Sequence, residues 1–175
     1  MSTPRKKPRG GVPQGVSVYQ LKITLAHVEP PVWRRVRMPG TVALSLFHRF
    51  LQAVMGWRNM HLHRFIIAGR ALGPVGHADE VGAQDLLTLA QAVELGGTGF
   101  RYDYDFGDDW QHRIEVEDVR SSPAATPTPV CVEGGRACPP EDCGGPGGYT
   151  ELLETLRDPG HQRLKRPGFS GGPIS

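Results

Sequence analysis

Two alternating segments joined by a short acidic turn constrain the fold of this chain more than any other part of its sequence. Aromatic side chains occupy every second position from Phe100 to Phe106, and His112, Ile114 and Val116 alternate with charged residues after the Asp108-Asp109 pair. A period of two places successive side chains on opposite faces of an extended strand. The pattern therefore predicts a β-hairpin with one buried face.

Three other segments are also predicted to be strands. Apolar residues alternate with polar ones from about residue 16 to Leu25, and a turn at 29–31 leads into a second extended segment, Val32 to Met38. In that second segment Trp33, Arg35 and Arg37 share one face, and the opposite face is mostly apolar. Residues 62–68 form the third predicted strand.

Apolar residues at helical spacing follow the second strand. The spacing predicts a helix that begins at Ser45 as N-cap and ends at Gly56. Shorter helices are predicted over 85–95 and 150–157, and residues 121–129 have the Pro, Ser and Thr content of a linker. The order of elements indicates an α+β fold, with a mixed β-sheet of about five strands and two or three helices packed on one face.

Positive charge is concentrated at the two ends of the chain. The net charge is +2, but seven of the 20 basic residues lie in 1–15 and 161–175, so residues 16–160 carry 13 basic against 18 acidic side chains, a net −5. We predict one domain over 16–160 between two disordered basic tails. Such tails can contact DNA through counterion release or can simply keep the protein soluble, and we favour the second interpretation. With no long apolar segment, we expect a cytoplasmic protein that does not contact membranes.

The cysteines form one cluster in the sequence, and their number is odd, which suits a metal site better than a disulfide framework. Zinc takes four ligands, usually thiolate or imidazole. The predicted zinc ligands are Cys131, Cys138, Cys143 and His112. His61 and His63 are the next choices for the histidine. In the alternative interpretation, which we favour, Cys138 and Cys143 are small side chains buried in a loop rich in Pro and Gly.

Carboxylates are the second candidate group. The predicted catalytic candidates are Asp103, Asp105, Asp108 and Asp109, with His112 as acid or base. Glu141-Asp142 is a further acidic pair that could lie near them. Clustered carboxylates can hold Mg²⁺ or Mn²⁺ for phosphodiester hydrolysis, but aspartates also suit turns and solvated strand faces, and we favour the latter role.

Arginines on the second strand are the third group. Arg34, Arg35 and Arg37 lie beside Trp33, and guanidinium and indole groups together can hold a phosphate and a base. The alternative is structural pairing with Asp103 and Asp105 across the sheet, which we favour.

Three motifs give the chain a family resemblance. They are Pro31-Val32-Trp33-Arg34-Arg35, the segment from Tyr104 to His112, and Arg136 to Gly145 running into Gly148-Tyr149. Together they resemble the plasmid pRiA-type ORF-three-like family, whose members are labelled insertion-element passenger proteins of TnpR type. The resemblance implies an α+β fold, an association with plasmids and insertion elements, and no defined reaction.

The resolvase-like label does not imply recombination here. A serine recombinase needs a positioned nucleophilic serine and a separate DNA-reading helix-turn-helix, and the sequence indicates neither. We therefore favour a non-enzymatic accessory module, whose C-terminal loops zinc could brace and whose basic tails could contact nucleic acid weakly. A metal-dependent phosphodiesterase or nuclease is the first alternative, and a protein-interaction domain without a ligand is the second.

Overall fold

The computed structural model describes residues 15–74, 83–123 and 127–157. Both basic tails lie outside these residues, apart from Gly15. The described elements are, in chain order, β1 (Val16–Leu25), β2 (Trp33–Pro39), α1 (Leu44–Met55), β3 (His63–Ile67), β4 (Arg70–Leu72), a 3₁₀ turn (Ala83–Asp85), α2 (Leu89–Gly96), β5 (Gly99–Tyr104), β6 (Trp110–Ser122), β7 (Val130–Gly135) and α3 (Gly145–Arg157).

The strands form one seven-stranded sheet in the order β4-β3-β5-β6-β1-β2-β7. Each pair of neighbours in this order is antiparallel. The α+β class is confirmed, but the predicted mixed sheet of about five strands is wrong in both strand direction and strand number. The two missed strands are the sheet edges, where β4 has only three residues and β7 lies at the start of the cysteine segment, for which we predicted no strand.

One face of the sheet carries the hydrophobic core. On β1, Leu21, Ile23 and Leu25 are fully or almost fully buried, and they alternate with the partly exposed Lys22 and Thr24. The apolar stripe of α1, including Phe47 and Leu51, belongs to the same core. The alternation that we predicted for the hairpin is confirmed, because β5 and β6 pair along Gly99–Tyr104 with Tyr102 opposite His112.

Helix α1 begins earlier than predicted. Its N-cap is Ala43, not Ser45, and no side chain caps it. The Leu44 amide is instead satisfied by the Leu87 carbonyl at 2.9 Å, a tertiary contact that replaces a local cap. The predicted end at Gly56 is confirmed, since that glycine adopts the left-handed conformation.

The other helices also differ from their predicted bounds. Helix α2 starts after Thr88, which forms a capping box with Gln91. Helix α3 starts five residues before the predicted position. Its first turn lies within a glycine-rich segment whose composition is typical of a loop. A Cβ at Gly148 would lie 1.9 Å from the Cys143 carbonyl oxygen, so only glycine allows this close approach. Within the described residues no helix has the length and apolar character needed to cross a bilayer.

Candidate metal centre

Three loops meet at one end of the sheet, where β3 begins, β5 ends and β6 begins. The first loop joins α1 to β3, the second is the hairpin turn after Tyr104, and the third precedes α3. The antiparallel pairing of His63 with Tyr104, and of Tyr104 with Trp110, brings the first two loops side by side. The Trp57 indole donates a hydrogen bond to the Pro139 carbonyl at 2.9 Å and so attaches the third loop to the first.

Each loop contributes one potential metal ligand. The His61 Nε2 lies 3.1 Å from Asp142 Oδ1 and 3.5 Å from Asp105 Oδ2, and the three donor atoms all lie within 4.8 Å of one another. Two donors about 2.1 Å from a single ion, in tetrahedral or octahedral geometry, are about 3.0–3.4 Å apart. The 3.1 Å distance from His61 to Asp142 lies within this range and the 3.5 Å distance to Asp105 lies 0.1 Å above it, so a small side-chain shift would allow shared coordination.

The His61 Nε2 atom makes no hydrogen bond with the part of the chain that the structure describes. This atom is shielded from solvent, and it lies at ion-pair distance from both carboxylates, but it makes no hydrogen bond of acceptable geometry within the described residues. A buried polar atom without a partner is costly. A cation between the three donors would remove that cost.

The backbone orients the two aspartates. Asp105 has φ 55° and Asp142 has φ 57°, a left-handed conformation that non-glycine residues seldom adopt. The Asp105 Oδ1 accepts hydrogen bonds from the amides of Gly107 and Asp108 at 3.0 and 3.3 Å, which leaves Oδ2 directed toward His61. Strained residues of this kind concentrate at functional sites.

Tyr104 and Glu141 lie directly beside the three ligands. The Tyr104 hydroxyl donates to Glu141 Oε1 at 2.5 Å and accepts from the amides of Met60 and His61. Burial raises the pKa of Tyr104 above its ordinary value, and the hydrogen bond to Glu141 raises it further. The phenol therefore stays protonated and acts as a donor to the carboxylate.

Buried aromatic rings form the floor beneath these loops. Trp57 stacks on Tyr104 with ring centroids 4.9 Å apart and meets the edge of His112 at 5.3 Å. His112 is fully buried, and its Nδ1 lies 3.2 Å from the Tyr102 carbonyl oxygen. Burial lowers the pKa of His112 to about 4, against weaker opposing hydrogen bonds to the Tyr102 and Trp110 carbonyls. His112 is thus a neutral core residue beneath the site.

The structure does not bring the four predicted zinc ligands together. Cys131 is exposed on β7, and the Cys138 thiol accepts a hydrogen bond from Arg34 at 2.9 Å. Burial and the nearby Asp108 and Asp142 raise the pKa of Cys143 to about 11. These cysteines and His112 do not form a group of close donors among the described residues. Zinc binding by this set stays a prediction.

The predicted carboxylate cluster is divided between several places. Asp103 is buried on the sheet face opposite the core, between Arg64 and Arg101 at 2.9 and 2.8 Å. Asp109 accepts from Gln111, and Asp108 accepts from the Gly144 amide. Of the four predicted aspartates, Asp105 alone belongs to the His61 group, and its acidic partner there is Asp142.

The predicted nucleic-acid arginines have different environments. Arg34 is partly buried, and its guanidinium donates to backbone carbonyls and to Cys138. Arg35 pairs with Glu117 and Glu133, so the expected pairing of this strand with Asp103 and Asp105 is wrong. That pairing fails because β1 and β6 lie between β2 and β5 in the sheet. Arg37 is exposed and contacts Gln20 at 3.3 Å.

Sequence reasoning assigned only part of this site. His61 was a secondary choice for zinc, and Asp142 was named only as part of a nearby acidic pair. No sequence signal pointed to the Tyr104 hydroxyl. The alternation of the strand predicted only that the Tyr104 side chain would lie in the core. The flanking motifs around Asp105 and Asp142 were the features that carried the family resemblance.

The fold and the loops together define an antiparallel α+β domain with a His-Asp-Asp donor set at one end of its sheet. The chain belongs to the plasmid pRiA4b ORF-3-like protein family, whose model matches residues 17–167. It is 46% identical over 154 residues to the uncharacterised protein y4hQ of Sinorhizobium fredii, covering 84% of this chain and 77% of that one. The crystal structure of MM3350, a protein of unknown function from Methanosarcina mazei Go1, matches with TM-score 0.77 and 32% identity over 86% of this chain and 87% of that one.

Proposed function

We propose that this protein is a non-enzymatic accessory module of its plasmid-associated family that binds a divalent metal ion through His61, Asp105 and Asp142. The observation that carries the proposal is the geometry at His61, where the shielded Nε2 atom has no hydrogen bond among the described residues and lies 3.1 and 3.5 Å from two carboxylate oxygens. The three ligands come from three different loops, so an ion would tie those loops together.

The donor set suggests which ion would bind. Magnesium and calcium prefer ligand sets made of oxygen alone, whereas one imidazole with two carboxylates suits zinc, manganese or ferrous iron. Additional negative charge supports a cation here, because Asp108 and Glu141 lie in the same loops and bond to backbone amides. We therefore expect a first-row transition ion.

Metal binding is tested on protein purified without chelators or an affinity-tag histidine. Elemental analysis gives the resident ion, and competition with a chromophoric chelator gives zinc and manganese affinities. His61→Gln, Asp105→Asn and Asp142→Asn are each expected to weaken binding at least tenfold. Asp103 is an acid held by arginines elsewhere on the sheet. Asp103→Asn is therefore the matched control and should bind metal as tightly as the wild type.

Two results would contradict this assignment. Metal that is lost in Cys138→Ser and Cys143→Ser but retained in His61→Gln would move the site to the predicted cysteine set. Wild-type protein that neither carries nor takes up zinc, manganese or iron would remove the metal function altogether.

Metal-dependent phosphodiester hydrolysis is the second candidate. It is favoured by the exposure of one ligand, since the Asp142 side chain is 76% exposed. A bound ion would thus keep positions open to water, as catalytic sites do and closed structural sites do not. Its test is metal-dependent cleavage of bis(p-nitrophenyl) phosphate and plasmid DNA that disappears in Asp105→Asn.

DNA contact through the basic tails is a separate proposal, supported by the charge distribution of the sequence. Binding should weaken steeply with salt and should fall when residues 1–15 are deleted. Arg37→Gln tests the one predicted strand arginine with an exposed side chain. DNA binding that neither change alters would place the contact elsewhere, and a wild-type protein that binds no DNA at low salt would make an interaction domain the better description.

A further inference from the structure

The Tyr104 hydroxyl joins the loop that carries His61 to the loop that carries Asp142. It accepts hydrogen bonds from the amides of Met60 and His61 at 3.0 and 3.3 Å, and it donates one to Glu141 Oε1 at 2.5 Å. One phenol oxygen can donate once and accept twice, so all its capacity is used. Glu141 Oε1 also accepts from the Arg58 amide at 3.2 Å.

The metal ligands are direct chain neighbours of these contacts. His61 donates its own amide to Tyr104, and Asp142 follows Glu141 in the chain. We infer that the Tyr104–Glu141 pair is a positioning device that sets the distance between His61 and Asp142 and thereby the affinity of the metal centre. This inference rests on the proposed metal-binding function.

The loops need such a device because their local conformations are unfavourable. Asn59 and Asp142 both have positive φ, and such residues persist only where surrounding contacts hold them. Hydrogen bonds from outside the ligand set orient metal ligands, and removing them commonly lowers metal affinity 10- to 100-fold. Tyr104 is in the required place for this role, because its hydroxyl bonds to both ligand-bearing loops and these three bonds use its whole hydrogen-bonding capacity.

Packing allows the hydroxyl to be tested separately from the ring. The Tyr104 ring stacks on Trp57 with a centroid distance of 4.9 Å and an interplanar angle of 22°. The ring of Tyr104→Phe can keep this contact and lose only the three hydrogen bonds. Tyr102→Phe is a matched control on the same strand and the same face, because its hydroxyl bonds to His48 and Gln52 and reaches the His61 loop only indirectly, through the bonds of those residues to Asn59.

The experiment measures Zn²⁺ and Mn²⁺ affinity, the visible spectrum of the Co²⁺ form and the thermal midpoint without metal. Tyr104→Phe is expected to weaken metal binding 10- to 100-fold and to change the Co²⁺ spectrum. Tyr102→Phe should lower the thermal midpoint to a similar extent but keep metal affinity within about threefold of wild type, since the bonds of His48 and Gln52 to Asn59 remain in that variant.

Glu141 variants separate positioning from direct coordination. Glu141→Gln keeps an oxygen acceptor for Tyr104 and should bind metal more tightly than Glu141→Ala by at least fivefold. Equal weakening in the two variants would overturn the positioning role and indicate that Glu141 is itself a ligand. Wild-type affinity in Tyr104→Phe would also overturn it while leaving the metal site intact, whereas a wild-type protein that binds no metal would refute the underlying function.

Discussion

The imidazole rings of His48 and His63 stack face to face, with centroids 3.5 Å apart and planes 4° from parallel. Both side chains are buried. His48 Nδ1 lies 2.8 Å from the Tyr102 hydroxyl, and Nε2 lies 2.8 Å from the Asn59 side-chain oxygen. Burial lowers the pKa of His48. His48 is therefore a neutral, hydrogen-bonded part of the core that holds Asn59 and the loop leading to His61.

Substitution of Asn59 tests this attachment. Asn59 has φ 57°, and its backbone amide donates a hydrogen bond to the Gln52 side-chain oxygen at 2.9 Å. Asn59→Ala should lower the free energy of unfolding by roughly 1–3 kcal/mol, because His48 loses a buried partner. Asn59→Gly loses the same bond but avoids the cost of the left-handed backbone, so it should be about 1 kcal/mol more stable than the alanine variant. Urea unfolding of the two variants measures the difference, and equal stabilities would contradict the role of the strained backbone.

Acid should destabilise the protein through His112. Its folded pKa of about 4 lies below the ordinary value of 6.5, so between these values the unfolded chain binds a proton that the folded chain excludes. This contribution to stability is complete above about pH 6.5 and is lost as the pH falls. At pH 4 the free energy of unfolding is lower by roughly 3 kcal/mol. His112→Phe should unfold with a shallower pH dependence over this range. His27→Asn, at an exposed position, should keep the wild-type slope, and the two slopes are compared by urea titrations at several pH values.

Added metal should stabilise the folded protein. At a free concentration 100 times its dissociation constant, an ion that binds only the folded state adds about 2.7 kcal/mol. Asp142→Asn should remove this gain, and because Asp142 is exposed it should change the metal-free stability by only about 0.5 kcal/mol or less. Thermal unfolding with and without EDTA measures both quantities. A metal-induced shift that persists in Asp142→Asn would place the ion elsewhere.

Arg34 should be sensitive to conservative substitution and Arg37 should not. The Arg34 guanidinium donates to the carbonyls of Val54 and Arg136 at 3.0 and 3.1 Å and to Cys138. A lysine cannot reproduce that planar arrangement of donors, so Arg34→Lys should cost about 2 kcal/mol of unfolding free energy. Arg37→Lys on the exposed face of the same strand should change it by about 0.5 kcal/mol or less. Chemical unfolding of both variants is the measurement, with similar losses counting against the role of Arg34.

Local signals accounted for much of the secondary structure. The alternation around Tyr102 and Ile114 correctly predicted β5 and β6, and Gly56 correctly predicted the end of α1, because each depends on neighbouring residues alone. The start of α1 was wrong because its first amide is capped by Leu87, which lies far away in the chain. Strand β7 was missed because it is stabilised by pairing with β2 and has little burial of its own.

The sequence by itself determined that this chain has a buried sheet face, a hairpin with an acidic turn and two motifs rich in polar residues, since these depend on side-chain periodicity and turn chemistry. Only the tertiary structure decided that His61, Asp105 and Asp142 meet while the three cysteines and His112 do not form one group of donors. The order of strands in the sheet brings the three loops to one end, and that order depends on long-range pairing. No local pattern of residues encodes it.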